Sequence, residues 1–374
     1  MAGPAAVSWR PAFSRGGVSL NYLSVRARSQ RPKEKIKSGE SLMSDSRVLL
    51  RRLVAPAFLL ASLTGAPAFA QDSAAGGDNL APFPAKMEPM AADTLINAVT
   101  PVGGKLVAVG AWGHVLISED QGKTWVQMQT PVNVTLTSVR FVDDKLGFAT
   151  GHDAVILRTE DGGKTWAIVQ YDPAAETPLF DIHMTDAQNG FAVGAYALMM
   201  TTSDGGKTWV KKPLGDLDFH LNAIAAAKDG KLWISGEAGH VFVTDAALSQ
   251  IQDIETPYSG SFWNVLPLSD GSVIAMGLRG NIWRTTDQGA TWTQAAVDTI
   301  ASIQSGIELK DGRVVLVGLE GTVLVSADKG ASFKPLKRGE RTALTAALQL
   351  ADGNVLLFGE SGADGSLSLE ALTN

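Results

Sequence analysis

The stretch Thr159-Glu160-Asp161-Gly162-Gly163-Lys164-Thr165-Trp166 decides the fold, because the chain repeats it. It appears earlier as Ser118-Glu119-Asp120-Gln121-Gly122-Lys123-Thr124-Trp125 and later as Thr202-Ser203-Asp204-Gly205-Gly206-Lys207-Thr208-Trp209. It returns as Thr285-Thr286-Asp287-Gln288-Gly289-Ala290-Thr291-Trp292 and as Ser326-Ala327-Asp328-Lys329-Gly330-Ala331-Ser332-Phe333. The closing aromatics are spaced by 41, 43, 83 and 41 residues. The gap of 83 is two periods, so a degenerate copy ends near Ile251, and one more period beyond Phe333 reaches Asn374. Seven repeats of 41 to 43 residues follow.

Each repeat carries the same strand text. In the first, Leu95–Val99 leads through a Gly103-Gly104 turn to Lys105–Gly110, then a tight hairpin at Ala111-Trp112, then Gly113–Ser118 and the Asp phrase. Short β-branched runs bounded by Gly and Asp turns predict four antiparallel strands per repeat. The expected fold is all-β: a seven-bladed β-propeller of four-stranded antiparallel blades over residues 93–374.

The Asp phrase reverses the chain between third and fourth strands. Its carboxylate suits the N–H groups of its own turn, glycine two residues later tolerates positive φ, and the aromatic forms a plate between sheets. Asp120, Gly122 and Trp125, Asp161, Gly163 and Trp166, and Asp204, Gly206 and Trp209 therefore read as structural. So do Asp287, Gly289 and Trp292, and Asp328, Gly330 and Phe333. The fourth repeat has Ala246 in the Asp position, which predicts a looser rim there. The seventh runs out of text for an outer strand, and Asn79–Met90 is expected to supply it and close the ring.

Ahead of the repeats, Met43 opens a segment with Arg47, Arg51 and Arg52, an apolar run Leu53–Leu63, and Ala68-Phe69-Ala70. That is the pattern of a secretory signal cleaved near Ala70-Gln71, and it implies a secreted or periplasmic product. Residues 1–42 read as disordered or as an over-extended start, 43–70 as the signal, and 71–92 as a linker with the ring-closing strand. The chain has no Cys, which excludes disulfides, thiol nucleophiles and Cys-type zinc sites. Beyond residue 70 there are 21 basic and 35 acidic residues, a balance that argues against nucleic acid as partner.

The phrase Ser/Thr-x-Asp-x-Gly-x-Ser/Thr-Trp is the Asp-box, or bacterial neuraminidase repeat. The extended form resembles the photosystem II stability and assembly factor family of seven-bladed propellers, over roughly residues 90–374. That resemblance implies a chaperone-like scaffold that binds a protein client of a membrane complex. Asp-boxes occur also in sialidases and other glycosidases, so a glycoside hydrolase working from the same face is the competing expectation.

Chemical motifs are sparse. Gly-Lys-Thr at Gly122, Gly163 and Gly206 lacks the earlier glycine of a phosphate loop, where Ile117, Arg158 and Thr201 stand. No Gly-x-Ser-x-Gly elbow occurs, and the five His show no metal-ligand spacing. Neither a catalytic residue, a metal nor a cofactor is expected. Trp233, Trp263 and Trp283 read as core. The hairpins between second and third strands vary from copy to copy, presenting Trp112, His152-Asp153, Tyr196, Glu237, Arg279, Glu320 and Glu360. Variable tips on a repeated scaffold predict the partner-binding face of a monomer, with Tyr171, Asp216, Asp218, Tyr258 and Lys337–Arg341 in the links beside it.

Overall fold

Alternating apolar residues in runs of four to seven put one face of every strand against a neighbouring sheet, and the chain solves this by stacking sheets around a ring. The computed structural model describes residues 82–214, 217–368 and 370–373. The expected signal at 43–70, the segment 1–42 and Asp216 lie outside them.

Among the described residues six sheets have four antiparallel strands in sequence order, and the seventh has three. The blades span residues 96–128, 136–170, 179–211, 221–255, 262–294, 303–335 and 344–367. Seven hydrophobic clusters accompany them, one at each junction between consecutive blades. The core is thus not inside any sheet but between sheets.

Polar side chains on the innermost strands join each blade to the next. Asn97 Nδ2 donates to Leu136 O (2.8 Å), Thr137 Oγ1 to Leu179 O (2.7 Å) and Asn222 Nδ2 to Phe262 O (2.8 Å). Asn264 Nδ2 reaches Gln304 O at 3.2 Å, and Lys310 N donates to Gln349 Oε1 at 2.9 Å. Between the third and fourth blades Asp181 takes this part: its carboxylate accepts from Ile224 N (2.9 Å) as well as from Ser138 and Arg140 of the second blade. Burial would raise the Asp181 pKa, but the Arg140 guanidinium and these donors outweigh it and hold it low. Thr345 Oγ1 donates to Ile96 O, so the last blade is bonded to the first in the same way.

That closure differs from the expected one. Within Asn79–Met90, the described part from residue 82 does not join the seventh sheet. It lies along the outer strand of the first blade, where Ala85 N donates to Thr130 O (3.0 Å) and Gln127 Nε2 to Lys86 O (2.9 Å). The ring closes instead through Thr345, the shared cluster of Ile96, Leu106 and Leu116 with Leu356 and Phe358, and the edge-on pair Trp125–Phe358 at 5.9 Å.

The Asp phrase builds the turn its chemistry predicts. Asp204 accepts from Thr202 Oγ1, Thr208 N and Thr208 Oγ1 at 2.9, 3.0 and 2.7 Å, and Gly206 N donates to Thr202 Oγ1 at 3.0 Å. The same set recurs at Asp120, Asp161, Asp287 and Asp328. Arg158 and Arg284 tie the next blade's turn from outside, donating to Gly205 O (2.9 Å) and Lys329 O (2.7 Å).

Gly206 is needed twice over: its φ is 73°, and a Cβ there would overlap the Phe148 ring of the preceding blade. Gly206→Ala should therefore lower unfolding free energy by about 2–4 kcal/mol, combining overpacking with left-handed strain. Gly230→Ala, at φ 85° with nothing near its Cβ, should cost only about 1 kcal/mol in the same urea titration.

The box carboxylates also set an acid limit. The Thr124 hydroxyl and backbone N–H hold Asp120 down to about 2, and equivalent donors do so at Asp161, Asp204 and Asp287. A carboxyl with a depressed folded pKa stabilises the fold fully above its unfolded value, near pH 4, and loses that contribution as pH falls towards 2. Thermal melts should drop across that window, and Asp204→Asn should show a shallower drop than the parent.

Candidate functional site

Each blade turns between its second and third strands on the face opposite the boxes. In six blades the turn closes through an i to i+3 backbone bond, such as His114 N to Ala111 O at 2.9 Å. Both central residues are left-handed: Trp112-Gly113, Asp153-Ala154, Tyr196-Ala197, Ala238-Gly239, Arg279-Gly280 and Glu320-Gly321. These are the tight hairpin turns that match strand twist. Glycine is the easy second residue, yet Asp153, Ala154, Tyr196 and Ala197 adopt the same backbone without it. The seventh tip is one residue shorter, with Glu360-Ser361 between the paired Gly359 and Gly362.

The tips are held rather than loose. The first residue of each turn donates its N–H to the link entering its blade: Ala111 to Leu95 O, His152 to Thr135 O, Ala195 to Pro178 O, Leu278 to Ser261 O, Leu319 to Ser302 O and Glu360 to Ala343 O, all within 2.9–3.2 Å. The fourth blade makes this connection with a side chain, the Glu237 carboxylate accepting from His220 N at 3.0 Å. Link residues brace several tips further: Tyr171 OH to Asp153 Oδ2, Tyr258 OH to Leu278 O, and Arg341 to Glu320 at 3.0 Å.

The eight residues expected on this face do lie in these turns, but they divide in two. Trp112, Asp153, Tyr196, Arg279 and Glu320 occupy the first left-handed position. Trp112 and Tyr196 remain 55% and 52% exposed, although both are large apolar groups. His152, Glu237 and Glu360 fall one residue earlier, on the shoulder aligned with Ala111 and Ala195. Burial lowers the His152 pKa, and Glu237 serves as the brace just described. Ala238, not Glu237, is the apex of the fourth tip.

An aromatic and histidine cluster joins the third and fourth tips, and motif reading did not find it. Tyr196 meets the His220 ring edge-on at 4.8 Å, and Phe180 stacks on the same ring at 6.0 Å. His220 Nδ1 lies 3.1 Å from Glu237 Oε2, and the His220 ring and backbone N–H hold the Glu237 pKa below its ordinary value despite burial. Beside it Phe219 stacks on His240 at 4.5 Å, and His240 Nδ1 pairs with Asp253 at 2.7 Å. The signal was available in the inner strands. Asn97, Thr137, Asn222 and Thr345 are the lateral donors at the second position, and Phe180 and Trp263 replace that polar residue. Of the three tryptophans read as core, Trp233 is buried, whereas Trp263 and Trp283 are half-buried.

A sialidase needs arginines converging on a carboxylate. Here Arg140 holds Asp181, Arg158 and Arg284 hold box turns, Arg313 pairs with Asp311, and Arg338 with Asp364. Among the described residues no helix is long and apolar enough to cross a membrane.

Comparison with known proteins places the molecule in a family. No curated protein sequence matches the chain. Among solved structures, one described as YCF48 bound to D1 peptide has a TM-score of 0.61 at 16% identity, covering 75% of this chain and 94% of its own. YCF48 from Cyanidioschyzon merolae gives 0.62 at 15% identity, covering 76% and 99%. A catalytically inactive virginiamycin B lyase from Staphylococcus aureus with quinupristin gives 0.64 at 14% identity, covering 76% and 99%. At these identities the likeness is one of fold. The family model described as photosynthesis system II assembly factor YCF48 matches residues 117–177 and 163–346, more than half of the chain, and the chain belongs to that family.

Proposed function

We propose that the protein is an exported, non-catalytic scaffold that holds a segment of a client polypeptide from a membrane complex on its tip face. The observation that carries this reading is the pairing of exposure with rigidity at Trp112 and Tyr196. Each is a large aromatic more than half exposed, on a turn whose backbone is bonded to the neighbouring link. Exposed aromatics on a pre-ordered frame lose little entropy on binding and are favoured interface anchors. The family relative bound to D1 peptide supports a polypeptide as the ligand class. Export rests on the Arg-rich, apolar and Ala-x-Ala text of residues 43–70. We propose cleavage near Ala70-Gln71 into a secreted or periplasmic compartment, and a monomer as the working form.

The test is co-purification of the tagged full chain from a membrane extract of its own source. Trp112→Ala and Tyr196→Ala should each leave stability within about 0.5 kcal/mol, because the side chains are exposed. Each should reduce client recovery several-fold. Glu237→Ala should instead lower stability by about 1 kcal/mol through the lost His220 brace. Undiminished recovery with the double aromatic variant would remove the tip face as the binding surface. Turnover of a fluorogenic glycoside panel by the pure protein would favour the enzyme reading.

A further inference from the structure

The tip face is polarised in charge, and both exposed aromatic apices stand on its acidic side. In the tips and links of the first four blades the described acids are Asp93, Asp153, Asp172, Glu176, Asp218 and Glu237. Among the described residues one lysine or arginine stands with them, Lys212. It is turned away, its Nζ donating to Leu248 O in the fourth box turn at 3.2 Å. The last three blades are balanced: Arg279, Lys337, Arg338 and Arg341 offset Asp298, Glu320, Glu340 and Glu360. Arg338 is ion-paired there with Asp364 and Glu340, and Arg341 with Glu320.

On the acidic side two of the six carboxylates are engaged. Asp172 meets Lys211 at 3.6 Å, and Glu237 braces His220. Asp93, Asp153, Glu176 and Asp218 form no ion pair among the described residues. The histidines of the first two tips, His114 and His152, are held below their ordinary pKa by desolvation and add no charge at neutral pH. Trp112, Asp153 and Tyr196 are the apices of three consecutive tips, at φ 57°, 57° and 53°. One turn geometry therefore presents all three, with the carboxylate on the blade between the two rings.

We propose that the segment held on the tip face is basic, and that one of its lysines or arginines is seated against Asp153 between Trp112 and Tyr196. This rests on the tip-face reading above and adds the chemistry of the client. Two properties of the surface ask for the same charge. The face of an indole or phenol ring carries negative potential and attracts a cation. The carboxylates of the second tip and the neighbouring links do so over longer range, and they repel an acidic segment. A neutral apolar segment fits less well. To cover both rings it would also cover Asp153, leaving a desolvated carboxylate with the Tyr171 hydroxyl, at 3.4 Å, as its side-chain donor. A guanidinium or ammonium supplies both the missing donors and the opposite charge. The basic segment accordingly lies over the first to third blades and away from Arg279 and Lys337.

The test titrates the full chain with blocked peptides of one frame, Gly-Ser-X-Ala-X-Ala-X-Ser-Gly, where X is arginine, glutamine or glutamate, read by calorimetry at neutral pH and low salt. The arginine peptide should bind saturably, the glutamine peptide at least about tenfold more weakly, and the glutamate peptide not at all. Asp153→Asn keeps the shape of the side chain and should weaken the arginine peptide at least about fivefold. Adding Glu176→Gln and Asp218→Asn should weaken it further, and so should rising salt. Asp298→Asn makes the same charge change on the balanced side and should leave binding unchanged. No saturable binding of the arginine peptide, equal binding of the glutamine peptide, or parent-like binding by a cooperatively melting Asp153→Asn variant would overturn the basic segment. Client recovery that falls with the double aromatic variant and not with the triple acid variant would overturn the basic character alone and leave the tip face as the client surface. Undiminished recovery with both would remove the tip-face reading and this inference with it.

Discussion

Close approach between consecutive blades is the constraint from which the rest of this structure follows. The sheets bury their apolar faces against each other, so every junction must bring two twisted surfaces into contact along their whole length. Near the axis this is done by side-chain amides and hydroxyls on innermost strands, reaching carbonyls of the next blade. Near the rim it is done by a glycine with nothing in the way. At Gly122 a Cβ would come within 2.6 Å of Leu356 Cδ1, and the aspartate beside it folds the turn so that this glycine points at its neighbour. The aspartate is thus two steps removed from the contact it secures, which explains why it recurs with the glycine and the aromatic as a unit.

With the rim and axis fixed, the tips inherit rigidity. Each is a two-residue turn bonded to a link that is itself wedged between blades, and left-handed non-glycine residues persist at the apices because the surroundings over-determine them. A surface of this kind changes its side chains without changing its frame. Trp112, Asp153, Tyr196, Arg279 and Glu320 share the left-handed backbone and differ in the groups they display.

The parts of the molecule that were legible in the sequence are those that the ring repeats. Five boxes, the strand runs between them and the tip positions all follow from one period, and the structure places them as that period predicts. The misreadings share a cause: each concerns a residue whose role depends on a neighbour in another repeat. Glu237 reads as a tip by its place after Gly236, but the apex is Ala238, and the Glu237 carboxylate is directed to His220 in the preceding link. Phe180 is ordinary along its own strand and becomes notable only beside Asn97, Thr137 and Asn222, whose lateral donor it replaces. The segment from residue 82 has strand-like length and no pattern to say which sheet it joins, and a glutamine pair, Gln127 and Gln129, draws it to the first blade.

The same reasoning shows why the junction of the third and fourth blades collects the exceptions. At this junction Leu248 and Ile251 stand where the other boxes have glycine and an aromatic, and both pack on the cluster around Phe191. The same pair of blades also carries the buried Asp181 bridging to Ile224, the Glu237 brace on His220, and a longer outer strand in the fourth blade, where the expected looser rim is therefore not found. A junction built from such groups has open space on its box face and a cluster of Phe180, Tyr196 and His220 on its tip face. Departure from the repeat at the box glycine thus coincides with departures at both ends of one junction.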